Sequence, residues 1–168
     1  MSNSIPETAL AEFDRAIGLA KTPDEAFGAL RALAEAAVGV KLFTVMTVDM
    51  TEGVARRAYT SDPEAYPATG TKPIHRDEWF DIVHRDRRPF VANTIEEIAK
   101  VFPDHELIDA LGCQSVVNLP VSLRGELVAT VNMLHETGHY TPRRVDIATR
   151  HLSMPAKLAY LLGRYRSA

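Results

Sequence analysis

Apolar positions recur every three or four residues at both ends of the chain and run alternately or continuously in between, so the pattern predicts helices flanking strands. Leu10, Phe13 and Ile17 stand at helical spacing over residues 8–20, with Glu7, Glu12, Asp14 and Arg15 largely off that stripe. Thr22-Pro23-Asp24-Glu25 then supplies a capping box: a threonine oxygen for the N–H three residues on, a glutamate to reach back, and a proline preset for the first helical position. The helix it opens carries Phe27, Leu30, Leu33 and Ala37 on one face and closes at Gly39. Residues 41–49 (KLFTVMTVD) are apolar on both faces, as in a central strand, and residues 54–60 (VARRAYT) read as its partner across Glu52-Gly53.

The middle of the chain is more broken. Residues 61–78 hold Pro63, Pro67, Gly70 and Pro73 and read as one long loop, a length that is often functional. A short helix is predicted over residues 78–85 with Trp79, Ile82 and Val83 facing inward, then a short strand over 89–93. Thr94 and Glu97 make a second capping box, and Asp104 is expected to cap a short helix ending at Gly112.

Residues 113–123 and 126–134 are the best hairpin candidate, turning at Arg124-Gly125. A simple two-residue turn sets Ser122 opposite Leu127, Leu119 opposite Thr130 and Val117 opposite Asn132. One face then collects Ser115, Val117, Leu119, Val121, Val128, Thr130, Asn132 and Leu134, with Cys113 at its end. The other carries Val116, Asn118, Pro120, Leu127, Ala129, Val131 and Met133, and suits packing against helices. The first face, apolar with polar groups converging near Cys113, Ser115 and Asn132, is built as small-ligand pockets are. Thr141-Pro142 starts a final helix with Val145, Ala148, Leu152, Leu158, Leu161 and Tyr165, in which Pro155 predicts a kink or break. Arg164 and Arg166 suit the negative pole at its end.

One short string alters the chemistry under consideration. His135-Glu136-Thr137-Gly138-His139 matches H-E-x-x-H, in which two histidines one helical turn apart bind zinc. Here a β-branched run leads in and Gly138 disfavours a helix, so His135 is expected to end a strand and His139 to lie in a loop, with no metal held. At 168 residues the chain is expected to form one domain, 1–168. A net charge of −3 gives no pull toward nucleic acid, no apolar run approaches a membrane span, and the acids near the N-terminus do not suit a secretory signal. A single cysteine fits a reducing cytoplasm.

The stretch LGCQSVVNLPVSLRGELVATVNM, residues 111–133, resembles the GAF domain family. Gly112, Ser115, Pro120-Val121 and Gly125 fill that family's run of glycine, serine, strand ending in Pro-apolar, glycine turn and second strand. Trp79-Phe80, the segment Arg87–Asn93, and Tyr140-Thr141-Pro142 with Asp146 are similar to flanking parts of the same family. The resemblance implies an α+β fold: a central antiparallel sheet, N- and C-terminal helices on one face, and a loop-covered small-molecule pocket on the other. It also implies a homodimer through the terminal helices. Cys113 is not followed by a histidine, as bilin-attaching cysteines often are, so no covalent chromophore is expected. The set associated with cyclic-nucleotide binders is not recognisable around residues 132–146.

On this reading the chain binds an unidentified small organic ligand as a cytoplasmic sensory domain, through Tyr59, Trp79, Cys113, Ser115, Val117, Thr130 and Asn132. An amide such as Asn132 on an apolar strand face must find a partner, and a ligand is one. An alternative is a thiol enzyme of the same fold, similar to free methionine sulfoxide reductases, with Cys113 as the reactive group and His84 or His75 carrying the proton. A third is an interaction protein with a filled cavity. Asp81 and Asp86 beside His75 and His84, and the run Arg85, Arg87 and Arg88, read as solvated surface.

Overall fold

The computed structural model describes residues 4–165. Two N-terminal helices, α1 (Glu7–Leu19) and α2 (Pro23–Val38), precede strands β1 (Leu42–Asp49), β2 (Val54–Thr60) and β3 (Thr71–Pro73). A short helix α3 (Glu78–Phe80) runs into a π-helical turn, Asp81–Arg85, followed by β4 (Phe90–Ala92), α4 (Ile95–Ala99) and α5 (His105–Ala110). The hairpin β5 (Ser115–Leu123) and β6 (Glu126–His135) and the long helix α6 (Pro142–Arg164) complete the order. All six strands form one antiparallel sheet in the order β3-β2-β1-β6-β5-β4, so the α+β architecture read from the hairpin and the family resemblance is the one observed.

The sheet separates two cores. On one side Phe43, Val45, Val117, Leu119, Val121, Ala129, Val131 and Met133 pack against α2 and α6, with Ala9, Phe13 and Ile17 of α1 outside α2. On the other, Val83, Phe90, Ile98, Ile108, Cys113, Val116 and Leu134 gather under the connecting segments. The cap of α2 is as the sequence indicates. Thr22 Oγ1 accepts from Glu25 N at 3.2 Å while Glu25 Oε2 accepts from Thr22 N at 3.3 Å, a reciprocal cap of the kind that stabilises a helix by about 1 kcal/mol. At α4, Thr94 accepts from Glu97 N, but Glu97 reaches one residue further back, to Asn93 N at 2.8 Å.

Several expectations are corrected. The loop 61–78 contains the edge strand β3, and Leu10 on α1 is exposed. Helix α6 passes through Pro155 without interruption, and its buried stripe is Ile147, Ala148, Leu152, Ala156, Ala159 and Tyr160. Leu158, Leu161 and Tyr165 point outward instead. The reason is close approach to α2. From Leu152, a 3.6-residue period leads to Ala156, Ala159 and Gly163, and a Cβ on Gly163 would lie 3.2 Å from the Phe27 ring.

The hairpin register is also shifted. Arg124 (φ 57) and Gly125 (φ 79) form the turn, and Ser122 pairs with Leu127 as expected. Between Val121 and Ser122 a bulge at Val128 moves everything beyond it by one residue, so Leu119 meets Val131, Asn118 meets Asn132 and Val117 meets Met133. From Ala129 onward the face assignment of β6 is unchanged, whereas Leu127 and Val128 change sides and the two faces of β5 exchange. Without the bulge Asn118 would be forced into the helix-packed core, and Val117, Leu119 and Val121 would leave it. Apolar burial favours the bulged register.

Candidate functional site

Over the sheet face remote from α1, α2 and α6 lies a cavity of about 300 Å³. Its floor comes from β1, β5 and β6, and its rim from β2, β3, α3 and the segment joining α4 to α5. Most of the lining is apolar, including Met46, Val48, Ile74, Val101, Phe102, Val116 and Leu134.

A polar row crosses this floor. Thr44, Asn132 and Asn118 are register neighbours on β1, β6 and β5. The Trp79 indole Nε1–H donates to Asn118 Oδ1 at 2.9 Å, Asn118 Nδ2–H to Asn132 Oδ1 at 2.7 Å, and Asn132 Nδ2–H to Thr44 Oγ1 at 3.1 Å. Thr44, Asn118 and Asn132 are 3%, 3% and 7% exposed, so their polar atoms are satisfied chiefly by one another. An amide carries two N–H donors, and each asparagine spends one of them in this row. Both asparagines line the cavity.

The rim carries charge. The Arg57 guanidinium stacks 3.8 Å above the Tyr66 ring and donates through Nη1 to Pro67 O at 2.7 Å. Its Nη2 lies 3.9 Å from Asp104 Oδ2, and Lys72 Nζ lies 3.8 Å from the same oxygen. The Tyr66 hydroxyl also donates to Asp104, and burial together with that carboxylate raises its pKa, holding it protonated. Asp104 is therefore taken up by Tyr66, Arg57 and Lys72 and makes no side-chain cap on α5. That corrects the capping expectation: a carboxylate between two cations and a phenol has stronger partners than a backbone N–H.

The residues singled out from the sequence divide between the two sides of the sheet. Trp79, Thr130, Asn132 and His75 line the cavity. Tyr59 lies on the helix side, its ring centroid 5.9 Å from that of Phe27 and 6.0 Å from that of Phe43. The bulge turns Val117 to the helix side too, while Ser115 is buried and donates to the carbonyls of His135 and Glu136. Cys113 sits 1% exposed in the second core, with its Sγ 3.9 Å from Leu111 O, and burial raises its pKa. His84 stacks on Phe80 at 4.4 Å, its pKa lowered by burial and by Arg87 and Arg76. Of the groups named for the enzyme alternative, His75 lines the cavity but Cys113 and His84 do not, so the thiol is not brought to a proton carrier there. Asn118, Arg57, Tyr66 and Asp104 were not foreseen. Asn118 carried the same signal as Asn132, an amide inside an apolar strand, and was assigned to the wrong face.

The HETGH string has a structural role. His135 ends β6, His139 follows in the turn, and their rings stack at 3.5 Å with 8° between planes. His139 Nε2–H donates to Val38 O at 2.7 Å, closing the C-terminal end of α2, and His135 Nδ1 accepts from Glu136 N at 2.9 Å. Among the described residues no group of three or more His, Cys, Asp or Glu side chains is arranged to hold a metal ion. No helix of the described residues is long and apolar enough to cross a membrane.

No protein-family model matches the sequence, and no curated protein does. Solved structures do match. The GAF domain of a phosphoenolpyruvate-protein phosphotransferase from Coxiella burnetii superposes with a TM-score of 0.66 at 15% identity, over 94% of this chain and 96% of that one. The GAF domain/HD domain protein from Geobacter sulfurreducens gives 0.67 at 13% identity, over 88% and 98%. Free methionine-R-sulfoxide reductase from Neisseria meningitidis, in complex with its substrate, gives 0.59 at 14% identity, over 96% and 95%. A six-stranded antiparallel sheet with terminal helices on one side, shared along nearly the full length of these structures, means that this chain has the fold of a GAF domain.

Proposed function

We propose that this chain is a small-molecule-binding sensory domain that holds an organic ligand between its sheet and the rim segments. The observation that carries this reading is the row Trp79-Asn118-Asn132-Thr44 at the base of an otherwise apolar cavity. Hydrophobic walls supply affinity, and a few fixed polar groups supply orientation. Trp79 is the sole tryptophan, so its emission reports on occupancy directly. Titration of a metabolite panel against the purified protein, read by Trp79 fluorescence and thermal shift, is expected to yield a ligand that Thr130→Phe, which plugs the floor without adding a second tryptophan, no longer binds. A panel that changes neither emission nor melting temperature would count against it.

The terminal helices carry a second element of the proposal. Met154, Leu158 and Leu161 are 78%, 42% and 53% exposed and stand at spacings of four and three along α6, an apolar stripe of the kind that seats a second helix, and Tyr165 just past its end is 75% exposed. This supports a homodimer through the terminal helices. Sedimentation equilibrium should show Leu158→Glu/Leu161→Glu as a monomer; an unchanged mass removes the proposal.

A further inference from the structure

We infer that the ligand of this cavity is a small organic acid carrying one carboxylate, its head taken by the donors of Arg57 and Lys72 that Asp104 leaves unused and its apolar body over the floor. The inference rests on the cavity being the binding site and adds the chemistry of what enters it.

The rim has more cation than it uses. Arg57 brings five N–H donors and Lys72 three. Arg57 makes a single hydrogen bond, to Pro67 O, and Lys72 makes none among the described residues. Both approach Asp104 only at ion-pair distance, 3.9 and 3.8 Å, and that carboxylate also accepts the Tyr66 hydroxyl. Arg57 is held in place by its stacking on Tyr66, its side chain is 12% exposed, and its Nε is buried without an acceptor. A donor left in that condition is costly, and an incoming oxyanion relieves the cost. The other acid on the rim, Asp77, is turned to its own helix, where Oδ1 accepts from Phe80 N at 3.0 Å.

Charge counting sets the class. Around Asp104 itself, Arg57 and Lys72 leave one positive charge, and Tyr66 adds none because it stays protonated; Asp77, whose carboxylate is engaged at Phe80 N, brings the lining as a whole to neutrality. One spare charge matches a singly ionised carboxylate and falls short of a phosphate dianion. The wall beyond the rim, with Met46, Val48, Val101 and Phe102, is suited to a hydrocarbon or aromatic body. The remaining amide donors of Asn118 and Asn132 can take a carbonyl or hydroxyl further along it.

The experiment uses matched probes on the whole chain: 3-phenylpropanoate and 4-methylpentanoate, each beside its neutral primary amide, with phenyl phosphate as the dianion. Calorimetry should show the acids binding about tenfold to a hundredfold more tightly than the amides, the range a charge-assisted pair provides. Lys72→Gln, on an exposed edge strand where folding is not at stake, should narrow that ratio, and Arg57→Lys should keep part of it. Amides that bind as well as acids overturn the inference while leaving the cavity as a binding site. Phenyl phosphate binding more tightly than both acids overturns the charge count. If neither acids nor amides bind, the inference and the cavity reading fall together.

Discussion

Replacing Asn132 by alanine tests the polar row at its centre. The substitution removes the acceptor of Asn118 Nδ2 at 2.7 Å and the donor to Thr44 Oγ1 at 3.1 Å. Two hydrogen bonds are worth about 1 kcal/mol each net, and a buried group left unpaired costs about 1–3 kcal/mol more. Asn118 and Thr44 are each 3% exposed, but both border the cavity, where entering water can satisfy part of what is lost. A destabilisation of about 2–4 kcal/mol follows, or roughly 5–12 °C in Tm for a chain of this length. Urea denaturation followed by far-UV circular dichroism measures it, with Trp79 emission as a second probe because Asn118 holds the indole N–H. In the Asn118→Ala/Asn132→Ala double variant the second substitution should cost less than it does alone, with a coupling of about 1 kcal/mol or more. A loss below about 0.5 kcal/mol for Asn132→Ala, or a double variant that is simply additive, would refute the row as a connected unit.

Three further outcomes are expected. Gly39→Ala puts a side chain at φ +78 with its Cβ 3.0 Å from His139 Nε2, so it should cost more in chemical denaturation than Gly53→Ala, where φ is +67 and nothing lies within 4 Å. Equal costs would mean that the imidazole pair yields freely. Burial and the facing His139 lower the His135 pKa below its ordinary 6.5, so the unfolded chain binds the proton more readily. Stability is then full above pH 6.5 and declines as pH falls below it toward the depressed folded value, with His84 acting in the same direction; His135→Gln should flatten the profile, and an unchanged slope between pH 7 and pH 5 would contradict this. Cys113, buried and raised in pKa, should resist iodoacetamide in the native protein and react on unfolding. Prompt labelling of the folded chain, read by mass spectrometry, would show that the second core opens.

The sequence by itself determined the local elements, because periodicity, caps and turn chemistry act within a few residues. Thr22 to Glu25, the Arg124-Gly125 turn and the strand that ends at the first residue of HETGH are all decided at that range. Family-like residues at Gly112, Ser115, Pro120 and Gly125 indicated the fold, and the β6 residues Thr130 and Asn132 could be placed on the cavity face from alternation alone. Tertiary structure decided the rest. The run Ser115–Val121 is buried on both sides and gives no alternation from which to read a register, so the choice fell to whichever pairing kept Asn118 out of the helix-packed core. Along α6 the sequence offered two apolar stripes, and α2 selected the one with Ala156, Ala159 and Gly163 because small side chains allow two helices to approach. The cavity joins Trp79 to Asn118, Tyr66 to Asp104 and Asn132 to Thr44 across separations of 39, 38 and 88 residues. Contacts over such distances leave no period in a sequence, since they exist only once the sheet has brought the strands side by side.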